Sequence, residues 1–321
     1  MVRGADNDGR PSSSLGDPPT VAVLGATPGT GNLGVDALAA ATVQGLLDIH
    51  PQTKIYLQSW VDHGPILVDV GSALHRCEPL IIRRREHTWQ RNGVSQLREM
   101  ASRSPRFAGL LPKFSPTWSK LNRCHAVLDI SAGDSFADIY GDEVFWYQSQ
   151  LKLMCLDLSL PLVLLPQTFG PFNSDESRAI AADIVSRSRL VCTREADGID
   201  EVNRLCAGRP GPRITEAPDV AFLLDAAEAA LPDRTDDHIR RGGGPVIAIN
   251  ISGLLYFARK SFELATSHSA LMGKLVDWAL SQEGARVLLV PHVIDPSPND
   301  AHRRSNAPTP DSTDTHACLD L

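Results

Sequence analysis

No stretch of the chain is long and apolar enough to span a bilayer, and Met1 to Thr20 lack the apolar core of a signal peptide. Those first residues are rich in Pro, Ser, Gly and Asp and are expected to form a disordered leader. The six cysteines (Cys77, Cys124, Cys155, Cys192, Cys206 and Cys318) include no C-x-x-C pair. Several sit in apolar runs, which favours reduced core thiols over metal ligands or disulfides. No metal and no cofactor is expected, and the composition fits a cytoplasmic protein. Basic residues are not in excess. The net charge is −7, so nothing points to nucleic acid, and an anionic ligand would need locally concentrated arginine.

Two further absences bear on a glycine-rich stretch near the N-terminus. Val21 to Leu24 form an apolar run, and Gly25 to Gly34 follow. Ala37 to Leu47 then contain no charged residue and carry apolar positions at helical spacing. Strand, glycine loop and buried helix make half of a βαβ unit, with loop amides and helix N-terminus placed for an anion. The loop has no lysine, which excludes a P-loop. Gly29-Thr-Gly31-Asn-Leu-Gly34 matches G-x-G-x-x-G, but the next strand, Lys54 to Gln58, ends in Ser59-Trp60 with no acidic residue. A dinucleotide site wants an acid there to hold the ribose. The remaining reading is that the glycines permit a tight turn and close helix–strand packing.

At 321 residues the chain has room for two domains of ordinary size. Ile66–Val70 and Pro79–Ile82 read as strands, and Arg83-Arg84-Arg85 as a solvated run or a phosphate contact. One helix is expected near Ser95–Ser102. Ala126 to Asp129 is a buried strand running into Ser131-Ala-Gly133-Asp134-Ser135-Phe-Ala-Asp138, where Asp134-Ser135 can cap a helix or serve chemistry. A helix over Glu143–Ser159 follows. Leu160 to Leu165 is a strand ending in Pro166-Gln167-Thr168, and Ser174 caps a helix to Ser186. Leu190 to Cys192 delivers Thr193-Arg194-Glu195. In a parallel α/β sheet these polar strand ends share the edge where ligands bind. Arg194 is the most informative of them. An arginine after a buried strand needs a partner, and its planar fork suits a carboxylate or a phosphate.

Residues 226–244 read as a linker, with Pro232 and Arg240-Arg241-Gly242-Gly243-Gly244-Pro245. Val246–Ile251, a helix over Ser261–Leu280 and Val287–Val290 then form one more βαβ unit. Its helix carries Leu264, His268, Leu271, Leu275 and Trp278 at 4-3-4-3 spacing. The second strand ends Pro291-His292-Val293. Residues 295–321 lack a periodic apolar face and are expected to be disordered, so that removal of residues 296–321 leaves the melting temperature nearly unchanged. The division expected is therefore leader 1–20, first domain 21–225, linker 226–244, partial second domain 245–294 and tail 295–321.

The chain resembles the polysaccharide pyruvyl transferases. The resemblance rests, in order, on Gly31-Asn32-Leu-Gly34-Val-Asp36-Ala-Leu38, Ser131-Ala-Gly-Asp134-Ser135-Phe-Ala-Asp138, Leu165-Pro-Gln167-Thr168-Phe-Gly170-Pro-Phe, Thr193-Arg194-Glu195, Pro218-Asp219-Val-Ala-Phe and Val290-Pro-His292-Val. It implies an α/β fold of two Rossmann-like halves, as in the glycosyltransferase-B class. The implied reaction is pyruvyl transfer from phosphoenolpyruvate to a polysaccharide or lipid-linked sugar, as a ketal, in exopolysaccharide biosynthesis. Arg194 is then the donor-binding arginine, with Gln167 and Thr168 orienting donor or acceptor. Asp36, Asp134 or Asp138 would hold sugar hydroxyls or act as base, with Gly31, Asn32 and Ser135 as substrate contacts. His292 is a candidate acid or phosphate contact, or a strand-end histidine in a structural hydrogen bond. Family members carry a later Arg-x-His element, and none follows His292. The C-terminal half is accordingly expected to be truncated and donor binding weakened. Alternatives are a nucleotide-sugar glycosyltransferase of the same fold, or a non-catalytic sugar- or anion-binding relic.

Overall fold

The computed structural model describes residues 18–59, 64–71, 73–82, 98, 115–225, 233–257, 265–294 and 313–321. Of the helix expected near Ser95–Ser102 only Arg98 lies among these, and it is helical; the Arg83–Arg85 run lies outside them. The fold is α/β. Strands β1 (Thr20–Leu24), β2 (Lys54–Ser59), β3 (Ile66–Val70), β4 (Ala73–Ile81), β5 (Ala126–Asp129), β6 (Leu162–Gln167), β7 (Leu190–Thr193) and β8 (Arg213–Glu216) form one sheet in the order β3-β4-β2-β1-β5-β6-β7-β8. All neighbours pair in parallel except β3 with β4, which close an antiparallel hairpin at one edge. The middle strands are covered on both faces, which is why they read as short uninterrupted apolar runs. At the hairpin edge the pattern changes: Val68 is buried while its neighbour Leu67 is exposed.

The helices of this half are α1 (Leu33–Ile49), α2 (Pro116–Leu121), α3 (Asp142–Asp157), α4 (Asp175–Arg187) and α5 (Ala196–Leu205). Asn32 and Ser174 cap α1 and α4 through their own side chains, and Ser174 stands at the cap its sequence position predicts. Nearly every residue of α3 from Tyr147 to Leu156 is buried, so it shows no single apolar face. Five of the six cysteines are buried, and burial pushes the Cys77 and Cys124 thiols up to about 12. Such thiols are poor nucleophiles near neutral pH.

The segment expected to be linker contains a helix, α6 (Asp233–Arg240). It is polar apart from Ile239, with Asp236–Arg240 and Asp237–Arg241 paired at i,i+4. Its C-terminal carbonyls are gathered by Arg286, which donates to Ile239 O at 2.8 Å, to His238 O at 3.0 Å and, beyond the helix, to Gly244 O at 2.8 Å. A guanidinium at a helix C-terminus satisfies orphan acceptors and opposes the dipole. That contact lies 46 residues away in sequence from Arg240 and has no local signature.

Beyond it, β9 (Val246–Asn250) and β10 (Arg286–Val290) pair in parallel as a separate two-stranded sheet. The short helix α7 (Gly253–Tyr256) follows β9, and α8 begins at His268, capped by Ser267, and runs to Leu280. Only Met272 and Ala279 of α8 are buried, with Val276 packed beside them, whereas Leu271, Leu275 and Trp278 are 47%, 37% and 55% exposed. Three positions of the 4-3-4-3 stripe, Leu271, Leu275 and Trp278, therefore face outward, and Leu264 lies outside the described residues. The helix carries apolar residues on two sides, so periodicity could not select the one that meets the sheet.

The expected disorder of the tail does not hold for its last residues. Asp314–Asp320 form α9, capped by Thr313, and Ala317 joins the small core with Ile249, Ile251 and Met272. Asp314 is 3% exposed. One of its oxygens accepts from Gly253 N at 2.6 Å, and the other from His292 N and Val293 N at 2.8 Å each. Low apolar content hid this helix, because a single buried carboxylate with three backbone donors does the anchoring. Asp314→Ala removes those acceptors and is expected to cost about 3 kcal/mol in urea unfolding. Deletion of residues 313–321 is expected to lower the melting temperature. An unchanged transition in both variants would show that α9 contributes nothing.

Candidate active site at the carboxyl edge of the sheet

The two halves meet at the glycine turn. Asn32 forms an antiparallel bridge with Val293, Leu33 N donates to His292 O at 3.2 Å, and Ile294 N donates to Gly31 O at 2.9 Å. The His292 imidazole lies over Gly34, its Nε2 2.8 Å from where a β-carbon would stand. The remaining amides of the first turn of α1 are also taken: Gly34 N and Val35 N donate to Asn32 Oδ1, and Asp36 N to Asn32 O. Asp36 Oδ1 accepts from Gly29 N at 2.8 Å and pins the loop. The anion site expected at this helix N-terminus is therefore occupied by the protein itself. Gly31, Asn32 and Asp36 shape the turn, and His292 is the exposed side chain beside it.

The next turn, after β5, is built on strained backbone. Ser131, Ala132 and Gly133 all have positive φ, at 43°, 52° and 88°. Left-handed non-glycine residues cost about 1–3 kcal/mol each unless the surroundings hold them. Here Ala132 N donates to Gly25 O, and Gly133 O accepts from Thr168 N. A β-carbon on Gly25 would stand 2.3 Å from Ser131 N, so only glycine fits at the end of β1. Beneath the turn, Lys152 of α3 pairs with Asp129 at 3.1 Å, both with no exposure to solvent. The Ser131 hydroxyl donates to Asp129 Oδ2 and accepts from Lys152 Nζ at 2.7 Å. Burial pushes the Lys152 ammonium below its usual pKa, and the Asp129 carboxylate opposes that shift.

This turn presents Gly133 and Asp134 to Arg194. A β-carbon on Gly133 would lie 3.0 Å from Arg194 Nη1 and 3.4 Å from Leu38 of α1, so the bare glycine lets the guanidinium come in. Arg194 Nε donates to Thr168 Oγ1 at 3.0 Å and to Glu195 Oε1 at 2.7 Å, and Nη1 to Asp219 Oδ2 at 3.0 Å. Among the described residues Nη2 makes no hydrogen bond. Burial works against the charge, but the bonds and charges of Glu195 and Asp219 outweigh it and hold the guanidinium firmly protonated. Asp134 accepts from the Tyr140 hydroxyl at 2.7 Å and from Ser135 at 3.4 Å. Burial, then the Asp134 carboxylate, keep Tyr140 protonated well above the usual phenol range. Asp219 also starts a short helical turn, Val220–Leu223, that lies along α1, with Leu223 against Gly45.

Two expected substrate contacts lie elsewhere. Gln167 has no exposure, and its amide donates to Asp129 O at 3.2 Å, inside the sheet. Asp138 accepts from Asn173 Nδ2 and Ser177 Oγ at 2.7 Å each and from Ser174 N at 3.2 Å, so it caps the N-terminal turn of α4. Burial alone would raise its pKa, but these bonds more than offset that and lower it. Asp134, Ser135, Thr168 and Arg194 do come together, while His292, Gly31, Asn32 and Asp36 gather at the neighbouring glycine turn.

The sequence model of the polysaccharide pyruvyl transferases matches residues 32–314. The chain belongs to the polysaccharide pyruvyl transferase family. Within curated proteins it is similar to amylovoran biosynthesis protein AmsJ of Erwinia amylovora, at 23% identity over 171 residues. That match spans 53% of this chain and 39% of AmsJ, well under half of the relative's length. Among solved structures it overlaps the UDP-forming alpha,alpha-trehalose-phosphate synthase of Burkholderia vietnamiensis at 10% identity and a TM-score of 0.38, covering 90% of this chain and 67% of that one. The alpha,alpha-trehalose 6-phosphate synthase of Burkholderia multivorans overlaps at 9% identity and 0.33, covering 85% and 64%. Among the described residues, no helix is long and apolar enough to cross a membrane.

For this family member, sequence reading missed the contacts of Tyr140, Glu195 and Asp219 at this edge and the buried Asp129–Lys152 pair. Asp219 and Glu195 sat in recognised motifs beside turns, which was a usable signal. Lys152 gave none, since a lysine in a helix ordinarily reads as surface. Lys152→Met leaves Asp129 buried without its partner and is expected to cost about 3–5 kcal/mol in urea unfolding, part of it recovered by adding Asp129→Leu. Asp138→Ala is expected to cost about 1–2 kcal/mol at neutral pH. Because the folded pKa of Asp138 is depressed, its contribution is present above the unfolded value of about 3.9 and is lost as pH falls through the folded value. The gap between variant and parent should therefore close below about pH 4, as read by melting temperature against pH.

Proposed function

We propose that the chain transfers a pyruvyl group from phosphoenolpyruvate to two hydroxyls of a polysaccharide or lipid-linked sugar, closing a ketal. The observation that carries this reading is the position of Arg194. It reaches the carboxyl edge of the sheet in contact with Thr168 and over Gly133, with one terminal nitrogen unengaged among the described residues. A planar fork at a partly enclosed edge suits the carboxylate or phosphate of an enol phosphate. Family membership supports the transfer chemistry.

The reaction forms two C–O bonds at the donor's C2 and breaks the C2–O bond to phosphate. The methylene carbon takes one proton and becomes methyl, and the two acceptor hydroxyls each lose one. One of those protons balances the methyl group and the other ends on the departing phosphate. The protein must hold the donor's anionic groups, admit a sugar beside C2 and accept a hydroxyl proton. Arg194 serves the first need and Thr168 fixes its fork. Asp134, set by Tyr140, and His292, beside the glycine turn, lie along the same edge for acceptor hydroxyls.

Isothermal calorimetry on the folded chain tests this. Phosphoenolpyruvate should bind, and Arg194→Ala should weaken binding about 100-fold or more, as expected from losing two charge-assisted hydrogen bonds. Phosphate release from phosphoenolpyruvate should depend on an added glycan hydrolysate. Binding of uridine or guanosine diphosphate in place of phosphoenolpyruvate would replace this reading with glycosyl transfer. Absence of any anion binding by a stably folded chain would leave a non-catalytic relic.

A further inference from the structure

We propose that Glu195 is the base that takes the proton from the attacking acceptor hydroxyl, a role that rests on the pyruvyl-transfer reading above. Glu195 is the residue just before α5 and follows Arg194 in the chain, so the backbone keeps it next to Arg194. Its Oε1 accepts from both Arg194 Nε, at 2.7 Å, and the Thr168 hydroxyl, at 2.8 Å. Its Oε2 has no hydrogen bond among the described residues, and its side chain is 45% exposed. It lines a cleft of about 850 Å³ together with Thr168, Pro171, Asn173, Glu201 and Arg204. One carboxylate thus has an oxygen tied to the donor arginine and an oxygen available to a polar ligand in the adjoining space.

A simpler role as counter-ion to Arg194 is already filled. Asp219 pairs with Nη1, and both its oxygens are used, Oδ2 by Arg194 and Oδ1 by Ala221 N. With Glu195 added, two carboxylates face one guanidinium, a formal charge of about −1. That charge opposes the binding of an anionic donor. A group that weakens ground-state binding yet stands against the donor-binding arginine is placed to act in the transition state. Asp134 is less suited, since one of its oxygens accepts from Tyr140 and the other from Ser135.

In the proposed step the acceptor oxygen bonds to C2 of the donor after the methylene carbon has taken a proton from water, and the hydroxyl proton passes to Glu195. The carboxyl group returns that proton to water. Attack by the second hydroxyl follows, with the C2–O bond to phosphate breaking and its proton ending on phosphate.

Glu195→Gln tests the assignment. It keeps size and shape and removes one negative charge. Donor affinity by calorimetry should be unchanged or tighter, while kcat for glycan-dependent phosphate release falls about 100-fold or more. Glu195→Asp should keep measurable turnover, since the carboxylate remains. Turnover of Glu195→Gln within about threefold of the parent would overturn the proposal and leave Glu195 a counter-ion. Loss of donor binding together with turnover would also overturn it, making Glu195 a positioning residue for Arg194. A parent chain that binds no phosphoenolpyruvate would instead remove the pyruvyl-transfer reading itself, and this proposal with it.

Discussion

A lysine and an aspartate with no exposure to water lie under the whole site. Isolated, either charge would be costly to bury; together, with the Ser131 hydroxyl between them, they hold a turn that no local preference would form. Ser131 and Ala132 are left-handed there without being glycine. Ala132 then bonds to the end of β1, and Gly133 bonds to the residue after β6. Three neighbouring strand ends are in this way fixed to one another through a single short loop. The position of Arg194 follows, because it approaches through the space that Gly133 leaves open.

Electrostatics at the edge are graded rather than uniform. The first turn of α1, which its dipole makes attractive to anions, is satisfied by Asn32, by the His292 carbonyl and by its own backbone. A guanidinium with one nitrogen, Nη2, unbonded among the described residues lies instead three strands away at Arg194. Acidic residues surround that arginine, so an anion arriving there must compete with Glu195 and Asp219. Such competition favours a ligand with fixed, planar, bidentate geometry over a diffuse one.

The second, two-stranded unit is joined to the first by backbone at the glycine turn, and within it Asp314 ties α9 to the end of β10 and to the start of α7. Its own buried cluster is small, and the stripe Leu271, Leu275 and Trp278 of α8 lies exposed. A carboxylate with three backbone donors supplies here what apolar burial supplies in the larger half.

How much was legible depended on the range of the interaction. Elements set by contiguous residues could be read directly: the apolar strands, the uncharged middle of α1, the Ser174 cap and the polar residues after β5, β6 and β7. Arg194 could be singled out because a strand end places it at the ligand-bearing edge whatever the strand order. The roles that depended on partners distant in sequence could not be read. Asp138 looked like a substrate contact until Asn173 and Ser177 closed around it, and Gln167 until the sheet enclosed it. Nothing marked Lys152 as buried, and the residues of α9 read as a disordered tail and those of α6 as a linker. Local propensity and periodicity are written in neighbouring residues, so sequence alone determined the α/β class and the candidate edge. Burial and hydrogen-bond pairing exist only once remote segments meet, so tertiary structure alone decided which polar side chains are consumed in holding the fold and which remain to act.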